Sequence, residues 1–197
     1  MKTVILGSGR GTNAEAIIRA QSNQLLGNAE LHAIFSDNKD SGILKVAESN
    51  NIDSYYLDGG SFKTKLDEKS EQVWIDTIMN SKPDLIVLAG FMKVLKPTFI
   101  KAFEGAIINI HPSLLPSFKG LRAIERTFEY GVKISGCTVH WVCDEIDSGN
   151  IIGQAPVRIM EGDTIDMVSQ KIHAAEHMLL PSVIRAISIG AAPFPEA

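Results

Sequence analysis

The stretch Asn109-Ile-His-Pro-Ser-Leu-Leu-Pro-Ser-Phe-Lys-Gly120 sets a carboxamide and an imidazole two residues apart, just after the apolar run "AII". Residues two apart in a strand face the same side, so Asn109 and His111 offer an amide NH₂ and a ring N–H together. Two such donors can hold an oxygen that becomes negative, as in acyl transfer through a tetrahedral intermediate. Removing one oxyanion donor typically costs about 3–4 kcal/mol of barrier. A free histidine titrates near ~6.5, so an imidazolium at neutral pH calls for a carboxylate beside it. The acidic run "CDEIDSG" supplies the candidates Asp144, Glu145 and Asp147. Each piece alone has a plainer meaning: His111 as a structural hydrogen-bonder beside a proline, "CDEID" as a solvated turn. His140, in "TVHWV", reads as core or as support for a neighbouring site. It is the joint occurrence of strand-end Asn, His and a downstream acid that points to catalysis. No nucleophile elbow with a Ser-His-Asp order appears, and no His/Glu/Cys spacing suggests a metal.

A second constellation opens the chain. "LGSGRGTNAEAII" joins a β-rich run to a segment of helical spacing. Its glycines allow tight turning, and the amides of Gly11, Thr12 and Asn13 at a helix N-terminus form a seat for an anion such as phosphate. Arg10 adds positive charge. The spacing is Gly-x-Gly-x-Gly, which departs from the dinucleotide pattern, although Asp37 ends the second strand where a nicotinamide enzyme places its ribose-binding acid. A mononucleotide-sized phosphate ligand is the favoured reading over NAD or an empty turn.

The elements that must position these residues alternate. Strands "KTVIL", "AELHAIFSD", "DSYYLD", "PDLIVLAG" and "AIINIH" are separated by segments of helical spacing. That grammar predicts an α/β fold: a mainly parallel twisted sheet with helices on both faces, Rossmann-like, with strand-end loops gathered at one edge. After Gly120 the pattern changes to a helix closed by Gly131 and two alternating strands around "CDEIDSGN". These predict an antiparallel hairpin added to the sheet. A long C-terminal helix follows, with Asp163 or Thr164 as cap and Pro181 as a kink, and the tail "AAPFPEA" reads as loose.

At 197 residues and 45% apolar content, the chain is expected to form a single domain over 1–197. A net charge of −4 argues against gripping nucleic acid or an anionic membrane as its main work. No signal peptide or membrane-length apolar run is apparent. Cys137 and Cys143 form neither a disulfide framework nor a metal spacing, so reduced thiols in the cytoplasm are expected.

"NIHPSLLPSFKG", followed by "GCTVHWVCDEIDSGNIIGQ" and preceded by "VLAGFMKVL", resembles the folate-dependent formyltransferase family over essentially the whole chain. The glycine-rich start and compact length resemble its purine-synthesis branch. The resemblance implies direct transfer of a formyl group from 10-formyltetrahydrofolate, as co-substrate, to the amine of phosphoribosylglycinamide, with no metal. It implies that Asn109 and protonated His111 bind the oxyanion, and that Asp147 raises the histidine's pKa and helps pass the amine proton on through water. Gly11, Thr12 and Asn13 would take the substrate phosphate and Glu176 the ribose hydroxyls. Met92, Lys93, Val94 and Leu95 would line the pterin pocket with Asn109, closed over by Cys143, Asp144 and Glu145. Lys65 stands near the place of a family arginine, keeping the charge but losing the bidentate fork. After "SFKG", where relatives often show histidines, this chain reads "LRAIER", so Ile124 stands where a polar residue is common. Small-molecule partners and a monomer or homodimer follow, without nucleic acid or membrane. The alternatives are a formyltetrahydrofolate deformylase and a nucleotide-binding, dehydrogenase-like module. The former is expected to carry an N-terminal regulatory domain. The latter gives no reason for Asn109, His111 and Asp147 to co-occur. Methionyl-tRNA formyltransferases are expected to carry a further C-terminal domain, and sugar-nucleotide formyltransferases to be longer.

Overall fold

The computed structural model describes residues 1–192, 194 and 195. The elements run β1 (Lys2–Leu6), α1 (Thr12–Ser22), β2 (Glu30–Ser36), α2 (Gly42–Ser49), β3 (Asp53–Tyr56), α3 (Glu68–Ser81), β4 (Leu85–Leu88), α4 (Pro97–Ala102), β5 (Ile107–His111), α5 (Ala123–Tyr130), β6 (Ile134–Trp141), β7 (Ile151–Arg158) and α6 (Ile165–Ser188). They build one seven-stranded sheet in the order β3-β2-β1-β4-β5-β6-β7. The first five strands of the chain pair in parallel, while β6 and β7 pair antiparallel. The expected architecture is therefore the observed one, down to the added hairpin.

The continuous apolar runs of β1 and β4 follow from burial on both faces. Val4, Leu6, Ile86 and Leu88 join Trp74, Ile78 and Phe99 of α3 and α4 in one core. Ile5, Leu85 and Val87 face the other way, into a core with Ile17, Ile43, Ile172 and Ile184 from α1, α2 and α6. Asn109 and His111 share the α3/α4 face with Ile107 by the same alternation. The chain steps outward from β1 to β2 and β3, then crosses back to β4. The switch point, where open α/β sheets receive ligands, thus lies between the loops that follow β1 and β4.

Caps fix the helix starts. Asp67 accepts from Ser70 N at the head of α3, and Thr164 accepts from Met167 N at the head of α6. Asp163, the other candidate cap, instead accepts from Met160 N and from Lys171 Nζ. Pro181 sits inside α6, buried, with helix continuing to Ser188. In the tail, the Phe194 ring packs at 5.5 Å from that of Trp141; 193, 196 and 197 lie outside the described residues. No helix among the described residues is long and apolar enough to cross a membrane.

Candidate active site

β5 and β6 pair with Asn109 opposite His140 and His111 opposite Thr138. Since β6 ends with Trp141 beside Ile108, the following loop must double back to bring an acid to His111. It does so tightly. A Cβ on Gly149 would fall on the carbonyl of Trp141, and Asp147 itself takes a left-handed φ of 51°, a conformation costly for a residue with a side chain. The result is a buried contact: His111 Nδ1 lies 3.2 Å from Asp147 Oδ2.

His111 is 5% exposed. Its other nitrogen, Nε2, lies 3.0 Å from the carbonyl of Phe118. Both ring nitrogens thus face acceptors, and only the doubly protonated ring has a donor for each. Asn109 Nδ2 lies 3.2 Å from His140 Nε2 and 3.5 Å from Asp147 Oδ1. His140 is itself buried, with Nδ1 donating to the Trp141 carbonyl at 2.8 Å. That bond leaves Nε2 as the acceptor that turns the Asn109 amide, the shorter of its contacts, since Asp147 Oδ1 is 3.6 Å away.

Asp147 also accepts from Gly120 N at 2.8 Å. Burial pushes its carboxyl up. The His140 contact, the Gly120 amide and the positive charge of the His111 ring outweigh burial and hold it below the ordinary 3.8. At neutral pH it is an anion, facing an imidazole and a carboxamide in a region largely closed to water. The arrangement can present N–H donors to a developing oxyanion and stabilise a positive ring behind them.

The glycine loop forms a second centre. Gly11 caps α1 with φ 88° and contributes no side-chain cap; a Cβ there would lie 2.7 Å from Ile43 Cα. The first-turn amides therefore have no capping side chain, as an anion seat requires. Glu176, 4% exposed, reaches this end from α6. It accepts from Asn13 Nδ2 at 3.1 Å and from His173 Nδ1 at 3.0 Å. The loop is tied to the one after β4 by Ser8 N to the Gly90 carbonyl and by Met92 N to Ser8 Oγ.

The 92–95 segment alternates. Met92 and Val94 are exposed, whereas Leu95 belongs to the α3/α4 core. Lys93 is buried, its ammonium donating to the Phe62 carbonyl at 2.6 Å and lying 3.8 Å from Asp37 Oδ2. Asp37 is thereby a lysine's partner rather than a free ribose ligand. Lys65 bridges to Val94 and lies with Phe62, Asp67, Glu68, Lys69 and Lys96 around a cavity of about 450 Å³. Cys143, Asp144 and Glu145 stand exposed on the hairpin loop. The structure therefore joins Asn109, His111 and Asp147 directly, and Asn13 with Glu176. Four participants had no sequence signal strong enough to assign them: the His140 ring, the Phe118 carbonyl, the Gly120 amide and His173.

The family model described as "Formyl transferase" matches residues 1–184. The chain belongs to the formyl transferase family. Within that family it is 37% identical to a phosphoribosylglycinamide formyltransferase of Bacillus subtilis, with 94% of each chain covered. It is also 37% identical to the Escherichia coli enzyme of that name, over 93% of this chain and 85% of that one. The trifunctional purine biosynthetic protein adenosine-3 of Gallus gallus matches all of this chain at 37% identity, but the match spans only 19% of that longer protein. Among solved structures, the phosphoribosylglycinamide formyltransferase of Bacillus halodurans superposes with a TM-score of 0.90 at 37% identity, covering 97% of both chains. The formyl transferase sheet, with β5–β7 antiparallel at one side, is thus shared by this chain and by a solved relative.

Proposed function

We propose that this formyl transferase moves the formyl group of 10-formyltetrahydrofolate to the amino group of phosphoribosylglycinamide, by direct transfer within the cytoplasmic route to purines. The observation that carries the reading is the contact of the half-buried Asp147 carboxylate with His111 Nδ1, beside a carboxamide turned by His140. The amine attacks the formyl carbon, forming a C–N bond while the carbonyl electrons move to oxygen. His111 Nε2–H and the Asn109 amide hold that oxyanion, and Asp147 holds the imidazolium. Asp147 also helps pass the amine's proton through water to N10 of the folate, whose bond to the formyl carbon breaks as the carbonyl re-forms. Proximity and charge stabilisation do the work.

Gly11, Thr12 and Asn13 hold the phosphate on the uncapped end of α1, and Glu176 accepts from the ribose hydroxyls. The backbone of Met92, Lys93, Val94 and Leu95, together with Asn109 and the Cys143–Glu145 segment, lines the pterin. Lys93 serves by its main chain, because its ammonium is turned inward. Lys65 offers charge to the folate's carboxylates. The deciding experiment incubates the pure protein with 10-formyltetrahydrofolate, with and without phosphoribosylglycinamide. Donor consumption that needs the amine is the expected result. Consumption without it would make the protein a deformylase.

A further inference from the structure

In this structure His111 has no N–H left to offer. Asp147 takes Nδ1, and the Phe118 carbonyl, at 3.0 Å, takes Nε2. The oxygen of a tetrahedral intermediate would have to occupy the place that this carbonyl already fills. Phe118 is held there with a left-handed φ of 57°, as is Arg122 at the far end of the same segment, also at 57°. A side-chain-bearing residue keeps such a backbone only when its surroundings impose it.

The imposing contacts can be named. Lys119 Nζ donates to Ser148 Oγ at 2.5 Å and lies 3.6 Å from Glu145 Oε1, joining the 117–120 segment to the hairpin loop that carries Asp147. Gly120 N donates to Asp147 Oδ2. Arg126 Nη1 donates to the Lys119 carbonyl at 2.6 Å and its guanidinium lies 5.9 Å from the centre of the Phe118 ring, which packs edge-on against Tyr130. The segment is therefore strapped to α5 on one side and to the hairpin loop on the other, with its carbonyl on the catalytic nitrogen.

We propose that residues 117–120 form a self-cap whose Phe118 carbonyl stands in for the reacting oxygen, and that Lys119 is the positioning residue that holds the cap on His111. This rests on the reading of His111 as an oxyanion donor. The cap acts as an internal competitor: the donor substrate binds productively only when the carbonyl has left, so its apparent affinity is the intrinsic one multiplied by the fraction of molecules that are uncapped. Breaking the Lys119 clasp shifts that population toward the open form without touching His111, Asp147 or Asn109.

The test compares the protein with Lys119→Met, Lys119→Arg and Ser148→Ala. In ligand-free protein held at pH 8, diethyl pyrocarbonate, which acylates only the fraction of imidazole rings whose nitrogen is both deprotonated and unbonded, is followed by mass spectrometry at His111, with exposed His32 as internal reference. Lys119→Met and Ser148→Ala are expected to accelerate His111 acylation about threefold and lower the KM for 10-formyltetrahydrofolate by the same factor at unchanged kcat, with Lys119→Arg behaving as the parent. Unchanged acylation in variants with an unchanged Tm would overturn the cap. So would a raised KM or a lowered kcat, the signature of a strap that closes over substrate rather than competing with it. Should Lys119→Met unfold, Ser148→Ala cuts the same clasp from the other side and decides alone. If no form of the protein consumes the folate, the formyl-transfer reading fails, while the acylation measurement still decides whether the cap exists.

Discussion

On the proposed reading, the glycine loop and the Asn109–His111–Asp147 centre solve the same problem, holding negative charge, with different materials. The loop uses backbone amides at the start of one helix, contiguous in sequence, and its key residue is a glycine whose left-handed φ admits no Cβ. The proposed catalytic centre uses side chains from β5, β6 and the hairpin loop, so it depends on strand register and on a doubled-back turn. A backbone site fails when local geometry is disturbed. A side-chain site fails when one functional group is changed, even if every atom around it stays in place.

Substitutions can separate these two modes. The largest effect is expected from His111→Ala, which should abolish transfer, and from Asp147→Asn, which should cut kcat by about 10³-fold. Donor binding, measured by calorimetry, should be nearly unchanged in Asp147→Asn; near-normal turnover there would remove the acid from the mechanism. Gly11→Ala should act on the other mode. The added methyl meets Ile43 backbone in an already left-handed residue, so the KM for phosphoribosylglycinamide should rise about 10–100-fold. Donor affinity should barely move, and Tm should drop by several degrees. A comparable loss of kcat at saturating substrate would show that the two centres are not separable.

His140→Leu tests whether the side-chain centre extends past its three principal members. Losing the acceptor that orients Asn109 should lower kcat about tenfold while leaving KM for both substrates nearly constant. The smallest effect is on acid stability. Asp147 has a folded pKa below its ordinary 3.8, so the unfolded chain binds its proton more readily. Its contribution is complete above the ordinary value and lost as pH falls through the depressed one. The Tm difference between the protein and Asp147→Asn should shrink as pH falls below about 4. A difference still constant at lower pH would mean the carboxylate is not preferentially ionised in the fold.

The order of strands and helices followed from hydrophobic period alone, because alternating βα segments leave few topologies open. Asn109 and His111 could be grouped because strand alternation is visible one residue at a time, whereas the acidic hairpin loop offered Asp144, Glu145 and Asp147 alike and only the family resemblance singled out Asp147. His140 could not be assigned, since its role arises from standing opposite Asn109, and antiparallel register is set by the whole hairpin rather than by "TVHWV". Lys93 shows the reverse limit. Nothing in "FMKVL" says that its charge turns inward to Asp37 and the Phe62 carbonyl while its neighbours face out. Carbonyls and amides such as those of Phe118 and Gly120 carry no identity at all in a sequence, so their use is invisible until the backbone path is known.

The seam between the parallel strands and the added hairpin also divides the proposed centre in the order of synthesis. β5 and its His111 leave the ribosome before the hairpin loop that carries Asp147. On the proposed mechanism, a chain whose hairpin has not docked along β5 holds the imidazole without its acid and is inert toward a reactive formyl donor.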